Sequence, residues 1–273
     1  MKSVILTALC CLSVRWAALA QELYINTEPA SNMAARSIGF RMNNYGYSDD
    51  NGKTKTIFNP EIMYGFSSQL MVHAEAYIDD KFTDGYVFRG LGLYAKYRFL
   101  NIDGVHKHFR VAAFSRFSDA FQPDENNEVS IIDDYRGISA GIIATQLLHK
   151  LAISSTIAYT RAFGTANDYI KNGDAVEYSL SFGDLALPRL YTSYKQTNMN
   201  LFFEILGKNQ WANVNINPST QKGYYLDAAP GIQFVIRSRA LIDLSWRWQV
   251  VGDMDRLWYQ QAFVRLEYNI FNL

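Results

Sequence analysis

From residue 36 onward the chain alternates apolar and polar side chains with a period of two. Between Gln69 and Ile78, Leu70, Val72, Ala74, Ala76 and Ile78 fall on one side, with His73, Glu75 and Tyr77 on the other. Between Ala240 and Val250, Ile242, Leu244, Trp246 and Trp248 oppose Asp243, Ser245, Arg247 and Gln249. The last run sets Ala262, Val264, Leu266, Tyr268 and Ile270 against Gln261, Arg265, Glu267 and Asn269. Successive strand side chains point to opposite faces, so each run is a strand with one apolar and one polar wall. Twelve such runs are predicted. The first six are Arg36–Asn43, Thr54–Phe66, Gln69–Ile78, Tyr86–Phe99, His108–Phe117 and Asp133–Leu147. The others are Leu151–Phe163, Gly173–Ala186, Tyr191–Leu206, Tyr224–Ile236, Ala240–Val250 and Trp258–Phe271. Most reach the roughly 9–11 residues that a tilted strand needs to cross a bilayer.

The connections alternate in length. Phe66 to Gln69, Leu147 to Leu151, Leu187 to Leu190 and Arg237 to Arg239 are tight, and Asn101 to Lys107 is somewhat longer. The opposite set is longer and more polar: Asn44–Lys53, Ser118–Ser130, Gly164–Asn172 and Lys208–Gly223. Short turns at one end and long loops at the other mark a membrane barrel. Alternation alone also fits a soluble sandwich or a barrel with its apolar face inward. Strand length, loop asymmetry, an export signal and aromatic residues near strand ends decide against both. Trp246, Trp248, Trp258 and Tyr259 gather at one end, and Tyr64, Phe66, Tyr97 and Phe99 at the other, as two interfacial girdles. The predicted fold is all-β: a closed antiparallel up-and-down transmembrane β-barrel of about 12 strands. An open edge in lipid would leave costly unpaired backbone groups, so closure is required. Pro230 falls on the lipid face within a run, where a bulge is expected.

The first residues set the compartment. Met1 to Ala20 has one early positive charge at Lys2, an apolar stretch from Val4 to Val14, and small residues in Ala18-Leu19-Ala20. That is a secretory signal peptide, cleaved after Ala20. Three parts follow: a signal peptide over 1–20, a periplasmic segment over 21–35, and an outer-membrane barrel over 36–273. The mature protein is expected to begin at Gln21. Its intact mass tests this, and an acylated Cys10 or Cys11 would contradict it. Both cysteines lie in the removed segment, so no disulfide, thiolate metal site or cysteine nucleophile is expected. Losing Lys2 and Arg15 leaves 24 basic residues against 26 acidic, a net charge of −2. That balance offers no footprint for nucleic acid. After Ala20 no apolar run approaches the length of a membrane helix. Phe, Trp and Tyr nonetheless make up 15% of the chain, as the lipid-facing half of a barrel requires.

Strand parity predicts the lumen. Its charged members are Arg41, Glu61, Glu75, Lys96, Arg98, Arg110, Arg116, Glu177, Glu204, Asp227, Asp243, Arg247, Arg265 and Glu267, with His73 beside them. A charge facing lipid near the midplane costs about 2–4 kcal/mol for Arg or Lys, so these side chains turn inward. They serve either as a polar path for a small solute or as ion pairs that close a narrow barrel. No catalytic constellation is evident, since His73 has Glu61 and Lys96 on adjacent strands but no serine nucleophile. His106 and His108 share a face without a third ligand, so no metal site is assigned. The carboxylates of 48–52 and 123–128 lack the full calcium-loop pattern and are read as solvated external loops. No cofactor is expected.

Two segments resemble a known group. Glu28-Pro29-Ala30-Ser31-Asn32-Met33 before Ser37-Ile38-Gly39, and Leu187-Pro188-Arg189 leading through Tyr194-Lys195-Gln196-Thr197-Asn198 to Glu204, look like Bacteroidota-type outer-membrane β-barrel proteins. These are grouped with barrels described as phenol-degradation-pathway transporters. The terminal strand ending at Phe271 resembles the signal read by the outer-membrane barrel-assembly machinery, although Asn272 and Leu273 follow where an aromatic usually closes the chain. The resemblance implies an outer-membrane location, contact with outer-membrane lipid and with that machinery, and a small-molecule solute. The leading expectation is a channel or transporter for a small polar or amphipathic solute. A non-conducting structural or partner-binding barrel comes second, and a lipid-modifying enzyme third.

Overall fold

The computed structural model describes residues 24–48, 52–105, 107–120, 132, 134–163, 174–188, 190, 193, 195–211, 222–254, 256 and 258–271. The expected signal peptide, His106 and the carboxylates of 123–128 lie outside these residues. The strands are β1 (Ile38–Ser48), β2 (Thr54–Gly65), β3 (Leu70–Asp79), β4 (Val87–Gly104), β5 (Lys107–Ala120) and β6 (Arg136–Leu148). They continue as β7 (Leu151–Ala162), β8 (Ala175–Leu187), β9 (Asn198–Gln210), β10 (Gly223–Ile236), β11 (Ala240–Gly252) and β12 (Gln260–Ile270). Each strand pairs antiparallel with its sequence neighbours. The ring closes where β1 meets β12, from Ile38↔Ile270 to Gly46↔Ala262. The fold is a closed twelve-stranded antiparallel barrel.

Alternation explains which wall faces out. Phe40, Ile62, Leu91, Leu93 and Ile157 are exposed at 47–61%, and the residues beside them in sequence point inward. An exposed apolar wall of this extent is tolerated where lipid covers it. Tyr259 and Phe66 are exposed beside strand ends, and Tyr97 and Phe99 lie exposed across from the start of β3, in keeping with two aromatic girdles. Trp246 is exposed at the middle of β11 and not at its end as expected. Trp258 departs from that expectation. It is 3% exposed and stacks on Tyr47 inside the long-loop end, with ring centroids 5.0 Å apart.

Several strand boundaries differ from the alternation pattern. β1 runs to Ser48, so the expected Asn44–Lys53 loop is paired up to Ser48↔Thr54. β5 ends at Ala120, β6 starts at Arg136 and β9 ends at Gln210. β4 runs to Gly104 and β5 starts at Lys107, so the expected Asn101–Lys107 connection is itself paired down to a tight turn. β9 begins at Asn198 and not at Tyr191, which lies outside the described residues. Of the expected run, residues 193 and 195–197 are not strand, and Gln196 N donates to the Ser193 carbonyl at 3.1 Å in a turn there.

Prolines open the ladder at two places. Pro60 has no N–H, and β2–β3 pairing lapses between Phe58↔Ile78 and Glu61↔Glu75. Asn59 Nδ2 donates to the Ala76 carbonyl at 3.0 Å across the gap. The bulge in β10 is at Leu226/Asp227, not at Pro230 as expected. At Pro230 pairing with β11 lapses between Ala228↔Trp248 and Gly231↔Ser245, and Ser245 Oγ donates to the Pro230 carbonyl at 3.0 Å.

Candidate solute path and the segment that crosses it

The charged residues predicted by parity all lie on inward faces. Most are buried, while Arg98, Arg110, Arg116 and Glu177 are partly exposed. Cross-strand register brings them together. Arg41 sits directly opposite Glu267 on β12 and Glu61 on β2, at 3.0 and 3.3 Å. Arg265 faces and pairs with Asp243, and Glu177 faces Lys208 at 2.9 Å. Arg247 reaches Asp227 on the diagonal at 2.7 Å. Directly opposed opposite charges stabilise a sheet, whereas like charges oppose it. Glu61 and Glu75 are such a like pair, in register on β2 and β3. His73 Nδ1 lies 3.2 Å from Glu61 and Arg116 Nε lies 3.2 Å from Glu75, which offsets the repulsion.

Arg116 is on β5 and Glu75 on β3, so their contact spans β4. Gly92 makes that possible. A Cβ there would meet Tyr77 Oη at 2.6 Å and Glu75 Cγ at 2.9 Å. The Arg116 guanidinium also lies over the Tyr94 ring at 5.1 Å.

The N-terminal segment crosses this interior. Residues 21–35 were expected below the barrel; the described part, from Tyr24, instead lies among inward-facing side chains. It enters at the short-turn end, where Arg36 N donates to the Gly65 carbonyl at 2.7 Å. Gly65 admits it, since a Cβ would sit 2.2 Å from the Ala34 carbonyl. Met33 packs with Met63, Met71 and Tyr94. Ala30 N donates to Thr145 Oγ1 at 2.9 Å. Glu28 accepts from Arg41 at 3.0 Å and from Lys96 Nζ at 2.9 Å. Beyond it, Glu204 Oε1 accepts from Ile25 N at 3.1 Å, Asn26 N at 2.7 Å and Asn26 Nδ2 at 3.0 Å. Thr27 Oγ1 donates to Glu204 Oε2 at 2.8 Å. Tyr24 packs edge-on against Phe202 with centroids 5.8 Å apart, and Arg265 donates to the Tyr24 carbonyl at 2.8 Å. The physical reason is satisfaction on both sides: buried wall charges need partners, and the segment carries the donors and the carboxylate that supply them.

Several inward charges were missed. Lys55 shares the parity of Glu61 on β2 and was legible; its Nζ donates to the Asp80 and Thr83 carbonyls at 2.8 and 3.0 Å. Arg89 was not, because a register shift at Tyr77/Ile78 turns it inward, where it lies 2.9 Å from Asp79. Lys81 and Asp134 lie outside the strands and pair with each other. Arg256, in the loop before β12, folds in to hold Asp227 at 2.8 Å. His108 does not meet a metal-like set; its Nδ1 is 2.7 Å from Asp103 Oδ1. Among the described residues no group of three His, Cys, Asp or Glu is arranged to hold a metal ion.

Cavities lie on both sides of the segment. One, of about 160 Å³, has Asn26, Thr27 and Glu28 on one wall and Arg116, Glu177 and Lys208 on others. The other, of about 550 Å³, opens at the short-turn end beneath Ser31 and Asn32. With this geometry the chain is comparable with solved barrels. An outer membrane channel from Pseudomonas putida F1 superimposes with a TM-score of 0.61 at 8% identity, over 90% of this chain and 100% of that one. The fold is that of an outer-membrane β-barrel. A NanC porin gives a TM-score of 0.50 at 9% identity, over 86% of this chain and 100% of its own. No protein-family model matches the chain, and neither does any curated protein. At such identities the likeness speaks for architecture alone.

Proposed function

We propose that this protein resides in the outer membrane after export and is a channel or transporter for a small polar or amphipathic solute, which moves along its charge-lined interior. The observation that carries this reading is the in-register ladder of inward charges, crossed by residues 24–35 with cavities on either side. Charged walls lower the barrier to a polar solute in a low-dielectric surround, and loops or segments folded into the bore set its width. The amphipathic end of the solute range rests on Tyr94, Phe114 and Tyr225 beside the smaller cavity, and on the resemblance to phenol-pathway barrels. A second reading, a non-conducting barrel that acts through its loops, is favoured by the crossing segment itself and its paired charges. Liposome swelling separates the two. Proteoliposomes should admit small neutral and charged solutes with a sharp cut-off in size, and no swelling with any solute favours the non-conducting barrel.

Ion preference gives a residue-level prediction. Glu75→Gln removes the carboxylate at 3.2 Å from Arg116 and should shift reversal potentials in a salt gradient towards anions. Arg98→Gln, at the short-turn mouth, should shift them towards cations. Both shifts should shrink with added salt, as the Debye length falls from about 10 Å at 0.1 M to about 3 Å at 1 M. Unchanged potentials in both variants would place these side chains off the path.

A further inference from the structure

The outer wall of the barrel is not convex all the way round. A hollow of about 680 Å³ on its apolar face is lined from six consecutive strands, by Ala240 on β11, Tyr268 on β12, Phe40 on β1, Pro60 on β2, Ala74 on β3 and Leu91 on β4. The outside of a round barrel falls away from one strand to the next. Six neighbours can share a hollow only where the wall is dented inward. Two observations account for the dent. The β2–β3 ladder lapses at Pro60, within the hollow, which frees the sheet to bend there. Behind it, Arg41 holds Glu28 of the crossing segment at 3.0 Å as well as Glu61 and Glu267, which draws β1 towards the segment.

The lower edge of the hollow lies near the short turns. Ala240 opens β11, Phe40 is third in β1 and Tyr268 is third from the end of β12. In a membrane barrel that end is periplasmic. Arginines stand at the rim below it. Arg239 precedes Ala240, and its carbonyl accepts from Asn269 N at 2.8 Å, beside Tyr268. Arg237 is in the same turn. Arg36 precedes β1, where its N–H is bonded to the carbonyl of Gly65 at the end of β2. All three are exposed, and no side chain among the described residues pairs with theirs. The turn and the start of β1 are two strand spacings apart, about 10 Å. The nearby carboxylates Asp243 and Glu267 face the interior, where Arg265 and Arg41 engage them.

Whatever fills the hollow must be apolar and deformable along the wall and anionic at the rim. An anionic phospholipid is all three, and basic side chains at the membrane surface attract its headgroup. A second copy of the chain would set hollow against hollow about a two-fold axis. The space between them would stay empty, and its lining would forfeit dispersion contacts. We propose that the hollow binds one anionic phospholipid of the periplasmic leaflet, with an acyl chain lying in the dent and the phosphate held by Arg36, Arg237 and Arg239. The proposal rests on residence in the outer membrane and not on conduction.

Native mass spectrometry of the full-length protein, purified in detergent and titrated with phosphatidylglycerol or phosphatidylcholine, tests it. One phosphatidylglycerol per barrel should persist, and zwitterionic phosphatidylcholine should bind about tenfold more weakly. Ala74→Phe fills the hollow from a position that faces lipid, so the barrel should keep its heat-dependent gel mobility and lose about tenfold in affinity for both lipids. Arg237→Gln with Arg239→Gln should bring phosphatidylglycerol down to the level of phosphatidylcholine and leave phosphatidylcholine unchanged. If Ala74→Phe does not fold, the arginine variant decides. Equal binding of the two lipids by the wild type, unchanged binding in the folded variants, or a dimer mass in place of the lipid adduct would overturn the proposal. Insertion into lipid vesicles, measured in parallel, separates the two claims. A barrel that inserts but retains no phosphatidylglycerol overturns the site alone, whereas a chain that does not insert overturns the outer-membrane reading with it.

Discussion

Leu244→Arg is expected to destabilise folding into bilayers by about 2–4 kcal/mol, the cost of a charge near the midplane on the lipid face. Leu244 lies outward on β11 and is 42% exposed, directly opposite Ile232 and Val264 on the neighbouring strands. Its neighbour Ser245 points inward at 9% exposure, bonded to the Pro230 carbonyl and to Asn26 of the crossing segment at 3.3 Å. Ser245→Arg therefore puts its charge among polar partners and should cost less in lipid, while it pushes Asn26 out of place and alters conductance. Urea titrations of folding into lipid vesicles measure both variants. Equal penalties would mean the register is wrong, because a one-residue slip exchanges the two faces.

Glu204→Ala should release the crossing segment. The carboxylate, itself fully buried, accepts from two backbone N–H groups, an amide and a hydroxyl, all within Ile25–Thr27. Removing it strands these donors at about 1–3 kcal/mol each, so the segment gains more by leaving for water than by staying. The barrel wall is maintained by its own ladder and should survive. The expected result is a severalfold rise in single-channel conductance and new protease cleavage within the segment. Glu204→Gln keeps an oxygen acceptor but loses the charge-assisted bonds, so its effect should be smaller and in the same direction. A variant with wild-type conductance and an uncleaved segment would show that Glu204 is not its anchor.

The barrel was legible because one rule governs nearly all of it. A period of two, strands of membrane length and unequal connections are written locally, and the inward position of Arg41, Glu61 or Arg265 follows from counting alone. The same rule fails wherever the chain leaves it. Arg89 follows a register shift that parity cannot see, and Arg256 and Trp258 come inward from a loop. The crossing segment has no period at all; its place is set by partners far along the chain, such as Glu204, 179 residues from Ile25, and Arg265, 241 residues from Tyr24. One signal did exist. The register neighbours of Lys96 are Met71 and Phe114, so the wall beside it offers that buried ammonium no carboxylate, and Glu28 fills the gap from outside the wall.

The charge ladder has a cost that bears on function. Charges in a narrow bore must be paired to be tolerated, yet pairing that is too complete holds nothing for a solute. Placing part of the pairing on a crossing segment, through Glu28 on Arg41 and Lys96, makes the wall's charges available whenever the segment moves.

Planar-bilayer recording of the purified full-length protein, beside its Glu204→Ala variant, tests the central claim most directly. The account predicts a small, ion-selective unit current for the wild type and a larger one for the variant, both sensitive to salt. Silent bilayers for both proteins, with the barrel shown to be folded and inserted, would contradict it.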